Sequence, residues 1–287
     1  MLLRGLAHPG VHAFVREYLG DDDHRVPFVG RVGDLAALDA SVASGAPFTL
    51  VAAPAGRGKS ALVLRFARDL EARGHAVAWV PISLRFGTHR SATVETLLAA
   101  RLRALRGTWG HWRDQVSAAD QPPLVVVLDG LDELQDTRFL EALTDLELPS
   151  GVQVLAAART LLDRDAAGWA ARLGWPGCRL VELAPLGLAG VAAALPPHHA
   201  ARAAGLMERT GGDPLLLRLC MESLDNDEPL PDVTDPAELV GAWWSEQRAL
   251  LQAPDDGRAT RALAALGAAG GVVPWSVLGA VTGDGEA

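Results

Sequence analysis

The sequence predicts an α/β fold in which helices cover both faces of a parallel five-stranded sheet. Three observations predict it: short apolar runs alternate with amphipathic segments through residues 48–183, a glycine-rich loop follows the first run, and carboxylates follow the third. Strand–helix alternation is typical of parallel sheets, whose fully apolar strands are buried on both faces. The 287 residues also leave room for one or two small helical domains.

The predicted strands are the five apolar runs, at residues 48–53, 76–81, 124–128, 152–157 and 179–183. Apolar side chains recur at helical spacing between strands, over 59–73 and 93–105. After Pro185 the strand pattern stops, and helices are predicted over 186–195, 200–210, 214–224 and 237–252. Prolines and an acidic stretch break this helical part.

These patterns divide the chain into four parts. We expect an N-terminal helical lead-in at 1–27, an α/β domain at 28–185, a helical domain at 186–252, and the beginning of a further domain at 253–287.

Composition excludes some partners and leaves others open. The formal net charge of -9 disfavours a surface that coats nucleic acid, because such a surface needs clustered positive charge. The N-terminus lacks the apolar core of a signal peptide, and the uncharged stretch 262–282 is mostly Ala and Gly with Pro274 near its middle. Cys178 and Cys220 lie far apart, as expected for free thiols. We therefore expect a cytoplasmic protein with no membrane partner.

Residues 53–60, APAGRGKS, match the P-loop pattern except that Ala53 replaces the first glycine. In such a loop, backbone N–H groups and a helix N-terminus point at one phosphate group. Gly56 and Gly58 allow close approach, Lys59 reaches the β- and γ-phosphates, and the Ser60 hydroxyl ligates Mg²⁺. Lys59 is the only lysine among 26 Lys and Arg residues. The predicted ligand is a nucleoside triphosphate or diphosphate with Mg²⁺, and the predicted contacts in this segment are Pro54, Ala55, Gly56, Arg57, Gly58, Lys59, Ser60 and Ala61.

An acidic turn follows the buried strand at 124–128. Asp129 leaves the strand first and suits a contact to Mg²⁺, which prefers hard oxygen ligands. Asp132 or Glu133 would orient or polarise a water molecule against the γ-phosphate. The alternative is an acidic turn that caps the next helix. Because Asp129 lies 70 residues after Lys59 in an α/β pattern, we favour the roles in Mg²⁺ binding and catalysis over the helix cap.

The segment DGLDE at 129–133 resembles the Walker B element of NACHT-type proteins, which belong to the STAND group of signalling P-loop ATPases. STAND proteins are distant relatives of AAA+ machines. AAA+ proteins usually have Glu directly after the first Asp, whereas this chain has Gly130. The resemblance therefore favours the NACHT side.

Three further segments resemble the same family. Residues 28–31, with Val29, Gly30 and Arg31, resemble a segment that borders the adenine; the alternative is a turn glycine with a surface arginine. Residues 154–160 resemble the strand that ends in a sensor arginine, which makes Arg159 a candidate contact to the γ-phosphate.

In the helical part, GGDPL at 211–215 resembles a lid motif whose proline, here Pro214, packs against the adenine. The structural alternative is a helix end followed by Pro at the first position of a new helix. The resemblance also implies that 186–252 is a helical lid and that 253–287 begins a winged-helix domain.

The resemblance implies that the nucleotide is ATP or ADP, bound with Mg²⁺. It also implies a regulatory ATPase that hydrolyses ATP slowly, opens, and self-associates when ATP-bound. Bacterial signalling or antiphage defence is the expected setting, with effector and sensor modules outside this chain. The candidate catalytic residues are Lys59, Asp132, Glu133 and Arg159, and the candidate metal ligands are Ser60 and Asp129.

Two other functions stay open. One is an initiator-like AAA+ ATPase whose winged helix contacts DNA, although only Arg258 and Arg261 are basic within 257–287. The other is a nucleotide-stabilised scaffold that does not hydrolyse ATP.

Overall fold

The computed structural model describes residues 3–21, 26–107, 109–118, 123–160, 164–175 and 177–225. The chain divides into a compact unit, Met1–Pro229, and a second unit, Leu230–Ala287. The helix predicted at 237–252 and the partial winged-helix domain predicted at 253–287 lie outside the described residues. Within the described ranges, no helix is long and apolar enough to cross a membrane.

The α/β fold with a parallel five-stranded sheet is confirmed. The strands are Phe48–Ala53 (β1), Ala76–Pro81 (β2), Leu124–Asp129 (β3), Val152–Arg159 (β4) and Arg179–Glu182 (β5). They pair in parallel in the order β2-β3-β4-β1-β5. All six residues of β1 and of β3 are buried, as the apolar runs predicted.

Among the described residues, seven helices precede or connect the strands: Pro9–Leu19 (α1), Val32–Ala43 (α2), Lys59–Ala72 (α3), Ser91–Arg106 (α4), Trp112–Val116 (α5), Arg138–Thr144 (α6) and Ala166–Leu173 (α7). After the sheet follow Leu188–Ala194 (α8), Ala203–Thr210 (α9) and Pro214–Asp225 (α10). Short 3₁₀ helices cover Leu131–Glu133 and Pro197–Arg202. The helical segment after the sheet therefore begins where the strand pattern of the sequence stops.

The N-terminal helix is part of the same core as the sheet. Phe14 of α1 is buried, and its ring centroid lies 5.7 Å from that of Trp79 in β2. Phe86, just after β2, lies edge-on to Phe14 at 5.4 Å. The apolar face of α1 is thus covered by the β2 side of the sheet.

The strand order brings the predicted site residues to one edge of the sheet. Because β4 lies between β1 and β3, Ala53 is paired with Arg159, and Asp129 is paired with Ala157. The loop after β1, the acidic turn after β3 and the end of β4 therefore lie side by side. Ligands of open α/β sheets bind at this carboxyl edge.

Candidate functional site

The loop between β1 and α3 has the backbone of a phosphate-binding loop. Gly56 and Gly58 have φ values of 79° and 83°, a region that favours glycine. Gly58 is the N-cap of α3, which begins at Lys59. The N-terminus of a 14-residue helix thus follows the loop directly, as the sequence predicted.

Lys59 lies across its own loop. Its Nζ donates hydrogen bonds to the carbonyl oxygens of Ala53 and Pro54, each at 2.9 Å. Burial lowers the pKa of Lys59, while the nearby carboxylate of Asp132 opposes that shift. The ammonium group is therefore held at the loop and close to the acidic turn.

Ser60 and Asp129 form a pair of oxygen ligands that fits Mg²⁺. Ser60 Oγ donates a hydrogen bond of 3.1 Å to Asp129 Oδ1. The second carboxylate oxygen, Oδ2, is buried and has no hydrogen-bond partner within the described part of the chain. Burial raises the pKa of Asp129 to about 7, against the opposing effects of Ser60 and Lys59. A divalent cation would compensate this buried carboxylate, since it favours the ionised form.

Asp132 is bound to Arg159. The backbone N–H of Arg159 donates to Asp132 Oδ1 at 2.8 Å, and Arg159 Nε lies 3.4 Å from Oδ2. The Trp169 indole donates to the Arg159 carbonyl at 2.8 Å, which holds the end of β4 from the other side. Both oxygens of Asp132 are thus occupied in positioning the predicted sensor arginine.

The two carboxylate oxygens of Glu133 differ in their hydrogen bonding. Its Oε2 accepts a hydrogen bond of 2.7 Å from the backbone N–H of Leu84. Its Oε1 has no hydrogen-bond partner among the residues that the structure describes. Of the two carboxylates proposed to orient water, Glu133 is therefore the better placed.

Gly130 separates Asp129 from these two carboxylates, and the position requires glycine. Its φ is 100°, and a Cβ there would lie 2.3 Å from the carbonyl oxygen of Ile82. The Ile82 N–H in turn donates to the Asp129 carbonyl at 2.7 Å. A local steric constraint therefore explains why a glycine, and no larger residue, follows Asp129 in this segment.

A cavity of about 730 Å³ opens between the phosphate loop, the segment before α2 and the helices after the sheet. This volume is in the range of small-molecule and cofactor sites. Six predicted contacts line it: Val29, Arg31, Arg57, Gly58, Ala61 and Pro214. Other lining residues are Glu17, Val26, Pro27, Phe28, Leu186, Ala194, Leu217, Arg218, Met221, Glu222 and Asp225. On α10 the lining combines three apolar side chains, Pro214, Leu217 and Met221, with three charged ones, Arg218, Glu222 and Asp225.

The buried Arg31 side chain holds the phosphate loop in place through hydrogen bonds. Only 5% of its side chain is exposed. Its Nη1 donates to the Ala184 carbonyl at 2.7 Å and to Asp34 at 3.1 Å, and its Nη2 donates to the Arg57 carbonyl at 2.7 Å. Arg31 therefore ties the phosphate loop to the exit of β5 and to α2, besides lining the cavity.

The remaining predicted contacts lie outside the cavity lining. Gly30 has a φ of 72° and faces Leu186 and Gly190, the latter so closely that a Cβ would lie 3.0 Å from its Cα. Gly56 faces Leu215 of α10. Pro54, Ala55, Lys59 and Ser60 lie in the loop and at the start of α3.

Sequence patterns did not reveal two residues at the site. Tyr18 of α1 lies near Ser60 and Asp129, and its pKa is raised by burial and by the carboxylate of Asp129. Asp213 forms an ion pair with Arg57. Tyr18 is the chain's only tyrosine, which is a compositional signal, and Asp213 lies within the GGDPL segment.

No protein-family model matches the sequence, and no curated protein matches it. Similar solved structures include Cdc6p from Pyrobaculum aerophilum, with 13% identity, a TM-score of 0.48, and coverage of 76% of this chain and 66% of that one. Orc1 from Aeropyrum pernix, solved in complex with DNA, has 17% identity, a TM-score of 0.48, and coverage of 88% and 75%. A RuvB variant from Thermotoga maritima has 14% identity, a TM-score of 0.40, and coverage of 94% and 86%.

This chain thus spans slightly less than two thirds of the Cdc6p chain. Each of the three TM-scores is below 0.5. The fold of this chain is therefore established by its own strand order and phosphate loop, and it is that of a P-loop nucleotide-binding domain.

Proposed function

We propose that this chain binds an adenine nucleotide with Mg²⁺ in the cavity beside the phosphate loop and hydrolyses ATP slowly. One observation carries the proposal. The glycine loop borders the cavity, and next to the loop Ser60 faces the buried, half-partnered carboxylate of Asp129. An anion cradle and a hard-oxygen cation site side by side are what a magnesium–phosphate ligand requires.

Each group has a role in this proposal. The loop N–H groups and Lys59 bind the phosphates, and Ser60 with Asp129 would hold Mg²⁺, which neutralises charge on phosphate oxygens when bound. Glu133 orients the attacking water through Oε1, and its bond to Leu84 fixes the carboxylate. Asp132 positions Arg159 near the phosphates.

Slow hydrolysis follows from the state of Arg159. Phosphoryl transfer is accelerated mainly by positioning and by charge stabilisation. The Arg159 guanidinium is paired with Asp132 and is about one third exposed, at 33%. The Asp132 carboxylate beside Nε offsets part of the positive charge that Arg159 would present to the transition state, which lowers the contribution of this arginine.

Single-turnover hydrolysis of ATP tests the enzymatic part. Glu133→Gln keeps an oxygen for the Leu84 N–H and removes the charge at Oε1. We expect the rate to fall about 100-fold, the scale of a general-base contribution, with ATP affinity unchanged. Equal rates for the wild type and Glu133→Gln would show that Glu133 takes no part in hydrolysis. If the wild type binds ATP but does not hydrolyse it, the protein is a nucleotide-stabilised scaffold and not an ATPase.

For the biological role we propose a NACHT-like regulatory switch that self-associates when ATP-bound. The support is the DGLDE segment, with its steric requirement for Gly130. Molar mass measured in solution with ADP and with a non-hydrolysable ATP analogue tests it. We expect a larger assembly only with the analogue, and the same mass in both states would contradict the switch.

The second candidate is an initiator-like AAA+ ATPase. Cdc6, Orc1 and RuvB are AAA+ P-loop ATPases, which is the class of this candidate and not of NACHT proteins. The Orc1 structure is a complex with DNA. A duplex-DNA titration at two salt concentrations separates the candidates: affinity that falls steeply with salt supports the AAA+ candidate, and no binding supports the switch.

A further inference from the structure

The phosphate loop contacts the N-terminal end of α10 through an ion pair with Asp213, the residue before the helix. Arg57 Nε lies 3.2 Å from Asp213 Oδ2, and their side chains are 21% and 17% exposed. Beside this pair, a Cβ at Gly56 would lie 2.8 Å from the Leu215 Cβ. The backbone of the loop therefore lies directly against the start of α10.

The two carboxylate oxygens of Asp213 have separate partners. Oδ1 accepts hydrogen bonds from the N–H groups of Leu215 at 2.9 Å and Leu216 at 3.3 Å, which is the bonding of a helix N-cap. Oδ2 faces Arg57. An asparagine would retain the cap through its oxygen and lose the charge that faces the loop, so the two roles can be separated by substitution.

Arg57 has donors that the protein leaves unused. Its backbone is held by Arg31, which donates to the Arg57 carbonyl at 2.7 Å. Its side chain lines the cavity. Within the described ranges, the buried Nη1 has no hydrogen-bond partner, and Nε meets Asp213 at ion-pair distance without the alignment of a hydrogen bond. Buried donors without a partner are uncommon and costly.

We propose that Arg57 bridges the bound nucleotide and α10, with Nη1 donating to a phosphate oxygen while Nε stays on the Asp213 carboxylate. This inference rests on the proposed function. A guanidinium presents several donors in a rigid planar fork and can serve two anions at once, whereas an ammonium is a compact point charge. The bridge makes release of nucleotide depend on the contact between the loop and α10.

The dissociation rate of N-methylanthraniloyl-ADP, measured with Mg²⁺, tests the bridge in four proteins: wild type, Asp213→Asn, Arg57→Lys and the double variant. Each single variant should release the ligand about 10-fold faster, the change that 1.4 kcal/mol produces. Because both substitutions break the same bridge, the double variant should also be about 10-fold faster.

The chain offers a matched control in Arg73 and Asp39, an arginine–aspartate pair at 2.6 Å whose side chains are both 47% exposed. Arg73→Lys with Asp39→Asn should leave the rate within about twofold of wild type, since exposed pairs contribute little.

The outcomes separate this inference from the proposed function. Wild-type release at the same rate as Asp213→Asn overturns the bridge, as does a double variant about 100-fold faster, which would show independent effects. If the wild type binds no labelled ADP at all, the proposed function fails and the bridge fails with it.

Discussion

At the scale of single residues, the acidic turn shows how backbone geometry limits which side chains can take part in chemistry. Gly130 has a φ of 100° with the Ile82 carbonyl beside it, so the chain turns directly after Asp129 at a position that has no room for a side chain. Asp129 is buried against Ser60, while Glu133 accepts a hydrogen bond from Leu84. The turn at Gly130 therefore directs the candidate cation ligand and the candidate base to different partners.

Gly130→Ala should therefore destabilise the protein by about 2 kcal/mol or more, from an unfavourable φ and from contact with Ile82. Chemical denaturation measures this change. Gly74→Ala is the control, because Gly74 has a φ of 90° with nothing within 4 Å of a Cβ, so only the backbone term remains. Equal losses in both variants would show that the steric contact contributes nothing.

The side chain of Asp129 is the proposed ligand of Mg²⁺, and its substitution tests that role. Asp129→Asn retains an oxygen that can accept from Ser60 and removes the charge at the buried Oδ2. We expect Mg²⁺ to enhance ADP affinity in the wild type and to have almost no effect in the variant, with metal-free ADP binding similar in both. Calorimetric titrations with and without Mg²⁺ measure this. A variant that keeps the full enhancement would place the cation elsewhere.

At the scale of elements, α1 determines whether the N-terminal segment belongs to the folded domain. Phe14 of α1 is only 3% exposed and packs against Trp79 and Phe86. The ring centroid of Tyr18, one turn later, lies 4.7 Å from that of Phe14, and the Tyr18 side chain lies near Ser60 and Asp129. The helix thus joins the core of the sheet to the predicted cation site.

Phe14→Ala should lower the free energy of unfolding by about 3–5 kcal/mol, because it leaves a cavity between α1 and the sheet. Val32→Ala in α2 is the control: Val32 is 81% exposed, and the expected change is within about 0.5 kcal/mol. A loss for Phe14→Ala as small as the control's would mean that α1 does not stabilise the domain.

Strands were easier to predict from sequence than short helices. The five strands end within two residues of their predicted bounds. For β1 and β3 the reason is that an apolar run of six residues buried on both faces has few alternatives. The helices Trp112–Val116, Arg138–Thr144 and Ala166–Leu173 were not predicted. Each has eight residues or fewer, and a helix of that length is stabilised by packing against the rest of the fold more than by its own sequence.

At the scale of the whole molecule, the site is assembled from distant parts of the chain. The P-loop and the acidic turn could be predicted because their chemistry lies in contiguous residues. The ion pair of Arg57 with Asp213 and the placement of Tyr18 near Asp129 could not, since each brings together side chains far apart in sequence. Only the folded backbone brings such partners together.

The central claim is that the phosphate loop binds a nucleotide through Lys59. Calorimetric titration of MgADP into wild type and Lys59→Ala tests it most directly. We predict one binding site in the wild type and at least about a 10-fold loss of affinity in the variant, since each charged hydrogen bond to phosphate contributes about 1.5–3 kcal/mol. Absence of MgADP binding to the wild type, or equal affinity in both proteins, would contradict the claim.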